Sequence, residues 1–170
     1  MNVHTTITAP LGELLLTGTV SPEAKYGIRL TSLSMPGQRG AVVPGPDSVA
    51  DPAAFAPVIE KIEAYFAGEP VGFDVDHTVS GTVFQERVWA ALDDIPYGTT
   101  TTYGALAETL GVPRAEVRAL GAAIGANPLL LVRPCHRVIG ADGAMRGYAA
   151  GVDRKVALLT LEGALAPTLI

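Results

Sequence analysis

Three kinds of residue are scarce in this chain. Of 170 residues, one is cysteine, three are histidine and 6% are aromatic. A lone thiol forms no internal disulfide, so the fold is not a disulfide scaffold and nothing points to an oxidising compartment. The histidines, His4, His77 and His136, are too scattered for a metal motif. No apolar run approaches the roughly 18 residues that cross a membrane. Met1-Asn2-Val3-His4 shows neither the basic start nor the apolar stretch of a secretory signal. The expectation is a soluble cytoplasmic protein with no metal, no cofactor and no membrane partner.

Apolar residues make up 48% of the chain, enough for one ordinary core or two small ones. The net charge of -5 argues against a nucleic-acid partner until its distribution is read. Residues 1–79 hold 4 cations against 9 carboxylates, whereas residues 80–170 hold 8 of each. Arg114, Arg118, Arg133, Arg137 and Arg146 cluster within 114–146, where Glu116 and Asp142 are the acids. An all-arginine patch of this kind suits phosphate, and it suits an ordinary solvated surface about equally.

The hydrophobic pattern predicts an α+β fold in two domains, 1–79 and 80–170. Residues 11–20 and 25–35 read as antiparallel strands, and 36–50 as an irregular loop rich in Pro and Gly. Phe55, Ile59, Ile62 and Phe66 recur at helical spacing, with Gly68 as the stop, and 71–75 reads as a further strand. Thr82 and Gln85 form a capping box at the head of a helix ending before Ile95-Pro96-Tyr97-Gly98. Thr102 caps a helix through Leu110, stopped by Gly111, and a second helix runs from Pro113 to about Ala126. The pair has the outline of a helix-turn-helix. Arg114 and Arg118, four apart, are expected on one face of the second helix. Ala119, Gly121, Ala122, Ala123 and Gly125 make that helix rich in small residues. Glycine costs a helix stability, so another backbone is expected close by, either a strand of the protein or a nucleic acid.

The lone cysteine lies in Pro134-Cys135-His136-Arg137-Val138-Ile139-Gly140, after a strand-like Leu129–Val132. On residue type alone a buried structural thiol is the commoner outcome. Pro134, however, starts a helical turn readily, which places Cys135 at an N-terminus that favours thiolate. His136 shares a site with Cys135 only if the chain turns there, since neighbours on a strand face opposite ways.

The run Pro134–Val138 resembles the active-site motif of the O6-alkylguanine-DNA alkyltransferases. The likeness extends over Gly81–Gln85, Val88-Trp89, Ile95–Gly98, Tyr103, Leu106-Ala107, Arg118-Ala119 and Asn127-Pro128. Beyond the cysteine it includes Gly147-Tyr148, Lys155, Leu158-Leu159 and Glu162-Gly163, so residues 80–163 are covered almost without gaps. The resemblance implies a small ribonuclease H-like α/β unit followed by a winged-helix-like domain. It implies stoichiometric transfer of an alkyl group from O6-alkylguanine to Cys135, with O4-alkylthymine left open as a second substrate. His136 then takes the thiol proton through a water, Glu162 orients the histidine, Tyr103 bonds guanine N3, and Asn127 is a hinge. Arg118 fills the space of a base flipped through the minor groove, with Arg114, Thr102, Ala119 and Ala123 also at the DNA. Val138, Tyr148, Ala149 and Ile124 line the base pocket. Arg137 receives no catalytic role, only a structural or phosphate contact. The implied partner is double-stranded DNA containing O6-alkylguanine, met by a monomer, with cooperative association on DNA left open.

Four features depart from the family pattern: one extra residue between Pro113 and Arg118, Arg133 before Pro134, Arg146 before Gly147, and Ala126 before Asn127. They suggest an altered basic surface around the pocket. Three other readings are weaker. An alkyltransferase-like protein that binds the lesion without turnover lacks the acceptor cysteine. A cysteine hydrolase does not explain Tyr103, Arg118 and Asn127, and an alkylation-sensing transcription factor needs a further domain.

Overall fold

The structure, a computed structural model, describes residues 1–145 and 147–165. Two compact units emerge: Met1–Val79 together with Pro128–Val132, and Ser80–Asn127 together with the chain from Arg133 onward. Five residues assigned from sequence to the second domain therefore complete the first unit.

In the first unit, β1 (Asn2–Ala9), β2 (Gly12–Val20), β3 (Ile28–Ser34) and β4 (Val49–Ala50) form one sheet in the order β3-β2-β1-β4. The β1–β2 and β2–β3 pairs are antiparallel, and β4 joins β1 in parallel. Helix α1 (Ala56–Phe66) packs on β1 and contributes Val58, Ile62 and Tyr65 to a core with Val3, Leu14, Leu16, Ile28 and Leu30. Strand β1 was not expected from the sequence. Residues 71–75 are a correction in the other direction, for they form no strand. Only the neighbouring stretch is tied to the sheet, by Leu30 N–H to Asp76 O (2.9 Å) and Thr78 N–H to Leu30 O (2.8 Å).

Leu129–Val132 also fails to form a strand. Leu129 bridges Leu33, and the chain then turns through Leu131, which is buried and adopts φ 71°. Val132 N–H reaches back to Leu130 O at 2.8 Å, closing a γ-turn around a left-handed leucine, a rare conformation.

The second unit begins with the capping box as read from the sequence. Thr82 Oγ1 accepts from Gln85 N–H and Gln85 Oε1 accepts from Thr82 N–H, both at 3.0 Å, at the head of α2 (Val83–Leu92). Residue 81 must be glycine here: a Cβ would lie 2.7 Å from both Gln85 Oε1 and the Trp89 ring. After β5 (Thr101–Thr102) comes α3 (Tyr103–Leu110), capped by Thr102 Oγ1 and closed by Gly111 at φ 68°. Helix α4 (Val117–Gly125) packs against α2 and α3 through Leu120 and Ile124. Trp89 Nε1 donates to Ala123 O at 2.8 Å, anchoring α4 to α2. A single helical turn, Cys135–Arg137, leads into β6 (Val138–Ile139), which pairs in parallel with β5. Helix α5 (Val152–Leu161) closes the unit. No helix among the described residues is long and apolar enough to cross a membrane.

Candidate active site

The site is built on the turn that Pro134 opens. Proline fixes φ (here -81°, with ψ 60°) and has no N–H to lose, so the chain reverses at no hydrogen-bonding cost. Cys135 N–H closes onto Arg133 O at 2.8 Å, and Arg137 N–H onto Pro134 O at 3.0 Å. The side chain of Asn127 fastens the same carbonyl, with Nδ2 to Arg133 O at 3.0 Å, and it also bonds the thiol. Asn127 is buried just beyond the end of α4, so α4 and the cysteine turn share one hydrogen-bonded joint.

Cys135, His136 and Arg137 are all buried. Burial pushes the Cys135 thiol up to about 11, while Asn127, the Lys155 cation and its own backbone act in the opposite sense. The resting group is a thiol, and a base is needed to make the nucleophile. The nearest imidazole, a candidate for that base, is the next residue in sequence. His136 Nε2 donates to Glu162 Oε2 at 2.7 Å, and neither side chain is exposed. With Nε2 so occupied, Nδ1 is the nitrogen left to accept a proton; it has no hydrogen-bond partner among the described residues. Burial holds the imidazole below its ordinary range. Glu162 pulls it upward, and Arg137 and Lys155 reinforce the burial.

Two side chains without an assigned role in the sequence reading belong to this cluster. Arg137 grips the same carboxylate, Nε to Oε1 at 2.7 Å and Nη2 to Oε2 at 3.1 Å, and its Nη1 donates to Ile95 O at 2.6 Å. It makes no surface phosphate contact, being buried. Lys155, fully buried on α5, donates from Nζ to Val138 O at 2.5 Å and lies 5.9 Å from the centre of the Tyr103 ring. Burial lowers its ammonium to about 8. No local pattern announces a buried lysine; as the fourth residue of a short amphipathic helix, Lys155 reads as surface.

The β5–β6 pairing, Thr101 with Val138 and Thr102 with Ile139, brings the head of α3 beside the cysteine turn. A Cβ on Gly147 would lie 3.7 Å from the Tyr103 hydroxyl, so Tyr103 reaches the Gly147-Tyr148 loop. The Tyr148 ring stands edge-on to His136 at 6.4 Å. Cys135, His136, Glu162, Tyr103, Asn127, Val138 and Tyr148 thus fall in one unit, with Ala149 buried in the Tyr148 loop.

The predicted DNA face needs two corrections. Arg114 lies in a separate 3-10 turn, Arg114–Glu116, and α4 starts at Val117, so the two arginines are not on one helix. Pro113 is extended, which delays the α-helix until the extra residue has been spent. Both arginines are exposed. Ala123 is buried, its carbonyl taken by Trp89, so the exposed small residues of α4 are Ala119 and Ala122. Ile124, expected to line the base pocket, is buried. Apart from its own helix, no atom of the described residues lies within 4 Å of a Cβ placed on Gly121, so no described strand accounts for that glycine.

Arg133 is a further correction, for it adds nothing to a basic surface. It is buried, and its Nε and Nη2 lie 3.3 Å and 3.4 Å from the Asp93 carboxylate at the end of α2. Asp93→Ala leaves this guanidinium without its carboxylate and is expected to cost about 1–3 kcal/mol, whereas Arg133→Leu is near neutral. Urea unfolding midpoints of the two variants check this. Arg146 lies outside the described residues. Among those described, no group of three His, Cys, Asp or Glu is placed to hold a metal ion.

Comparison with known proteins accounts for this arrangement. Residues 83–164 match the family model described as 6-O-methylguanine DNA methyltransferase, DNA binding domain. The methylated-DNA--protein-cysteine methyltransferase of Mycobacterium tuberculosis strain H37Rv is 46% identical over 169 residues, 96% of this chain and 94% of its own. That of Methanosarcina acetivorans is 45% identical over 156 residues, 91% and 94% of the two chains. The crystal structure of Mycobacterium tuberculosis OGT in complex with DNA superimposes with a TM-score of 0.84 at 44% identity, covering 95% of this chain and 93% of the other. A DNA-binding domain built around a buried cysteine, with a histidine–glutamate pair beside it, is a DNA-repair module of the alkyl-accepting kind. The chain belongs to the methylated-DNA--protein-cysteine methyltransferase family.

Proposed function

We propose that this chain restores O6-methylguanine in duplex DNA by moving the methyl group to Cys135 Sγ, once per molecule. One observation carries the assignment: the family's acceptor is a cysteine, and this chain has a single one, seated on the His136–Glu162 relay. The thiol proton passes to His136 Nδ1 through a water. The new S–C bond forms in line as the C–O6 bond breaks, and its electron pair leaves with guanine. Tyr103 offers its hydroxyl to guanine N3, and a proton returned to the base completes neutral guanine. The product is a thioether, for which the chain supplies no regenerating thiol. Transfer is therefore stoichiometric.

A guanine inside the stack is out of reach of a buried sulfur, so the base must be flipped. Arg118 is the residue proposed to hold the gap through the minor groove. It is exposed in the first turn of α4, next to Ala119 and with Ala122 and the unobstructed Gly121 one turn on. These small positions let a groove floor approach the helix. Arg118→Ala should slow repair of a methylated duplex about tenfold or more, because unstacking costs a few kcal/mol. The free base needs no flipping and should react within about twofold of wild type. Equal losses on both substrates, measured as single-turnover rates, would remove the finger role. O4-alkylthymine is a second substrate to test in the same assay.

A further inference from the structure

We propose that Arg137 sets the charge of the relay: its guanidinium neutralises Glu162, which leaves His136 a neutral base with its proton on Nε2. The proposal rests on the reading of His136 as the proton acceptor. The geometry is a shared carboxylate. Oε1 is held by Arg137 Nε at 2.7 Å, and Oε2 is divided between His136 Nε2 at 2.7 Å and Arg137 Nη2 at 3.1 Å. This is the two-pronged pairing in which arginine binds a carboxylate most strongly.

The arginine matters because of what the pair would do without it. A buried carboxylate facing a lone imidazole draws a proton onto the ring, since an ion pair is the cheaper way to bury the charge. A protonated imidazole has no lone pair for the cysteine proton and cannot act as the base. Arginine does not give up its proton, so it supplies the counter-charge permanently. It is itself fixed, by Nη1 to Ile95 O at 2.6 Å and by the Tyr97 ring, 5.7 Å from its guanidinium carbon.

The groups around His136 fall on both sides of the balance. From its own turn come Cys135, an uncharged thiol at rest, and Arg137; from α5 comes Lys155, and from the residue after it Glu162. Tyr148 adds a ring edge at 6.4 Å. Glu162 favours the charged ring, while burial, Arg137 and Lys155 oppose it. Removing Arg137 takes away the cation that shares the carboxylate with the ring.

Histidine ring ¹⁵N spectra across pH test the proposal, with His136 identified among three histidines by His136→Gln. In the wild type its midpoint should lie below the ordinary imidazole value of about 6.5, with Nε2 protonated in the neutral ring. In Arg137→Met the midpoint should rise by about one unit or more, a tenfold gain in proton affinity. Methyl transfer by that variant should fall as pH drops below the new midpoint, where the wild type still transfers, and recover above it. Arg137→Lys keeps the charge and should keep the midpoint near that of the wild type. A wild-type midpoint at or above the ordinary value overturns the proposal with no variant needed, as does an unmoved midpoint in Arg137→Met. Loss of transfer equal at every pH would reduce Arg137 to a structural strut. If Arg137→Met does not fold, the wild-type and Arg137→Lys spectra decide. A His136→Gln protein that transfers at the wild-type rate would instead sink the relay reading, leaving the effect of Arg137 on the ring intact.

Discussion

Replacing Cys135 by serine should leave a folded protein that still binds a duplex containing O6-methylguanine and never gains mass. The two side chains differ by one atom, and Cys135 is only 5% exposed, so neither the fold nor the DNA face should register the change. The chemistry should register it fully. A serine hydroxyl is a far weaker acid than a thiol, and the His136 imidazole, held below its ordinary range, is no strong base. The wild-type protein, by contrast, should gain one methyl group and no more, however long the incubation and whatever the excess of DNA. Its only thiol is then consumed. Intact-mass measurement of both proteins after reaction reads the outcome directly. A methylated serine variant, or a second methyl on the wild type, would show that the acceptor lies elsewhere.

Replacing Lys155 by methionine should have the next largest effect. The ammonium opposes the burial that holds the Cys135 thiol up to about 11, so losing it drives the thiol higher still. Each unit of that rise removes about nine-tenths of the thiolate at neutral pH, and a loss of about tenfold to a hundredfold in single-turnover rate is expected. The loss should shrink as pH climbs toward the titration of the thiol. It should not come from unfolding. Burial costs the charged lysine, and methionine of similar shape relieves that cost, so the variant should be as stable as the wild type or more so. The pH dependence gives a signed check. The folded lysine titrates at about 8 and the unfolded one at its ordinary 10.5. Between these values the unfolded chain binds the extra proton, so wild-type stability should rise with pH relative to Lys155→Met, and stay level below the window. Urea unfolding of both proteins from pH 7 to 10.5 measures that difference. A variant of unchanged rate would leave Lys155 a packing residue.

What the sequence disclosed and what it hid divides along physical lines. The ends of α2 and α3 were legible because caps are local: Thr82, Gln85, Thr102 and Gly111 satisfy backbone groups within a few residues of themselves. Strand-like composition misled twice. Residues 71–75 alternate well enough but have no ladder partner along their length, and Leu131 is bent into a left-handed turn that its side chain disfavours. Tertiary packing overrode propensity in both places. Strand β1 escaped notice because three threonines and a histidine dilute its pattern. The site shows the same split. Cys135, His136 and Glu162 were carried by a dense motif resemblance. Arg137 and Lys155 lay inside the same resemblance, but their burial was hidden, as was that of Arg133, because an arginine or lysine in a sequence gives no sign that it is buried, and Asp93, the partner of Arg133, lies 40 residues away.

The five-residue excursion from Pro128 to Val132 has a consequence for synthesis. The N-terminal unit is made first, yet Leu33 N–H and O find their partners, Pro128 O and Leu130 N–H, only after three of the second unit's helices have been translated. Until then the growing chain carries β3 with an unfinished edge, the kind of surface a nascent chain must keep from its neighbours. The next residues to emerge are Arg133, Pro134 and Cys135. Vectorial folding thus reaches the cysteine turn just after the edge is sealed, and the proposed alkyl acceptor is put together among the last parts of the molecule.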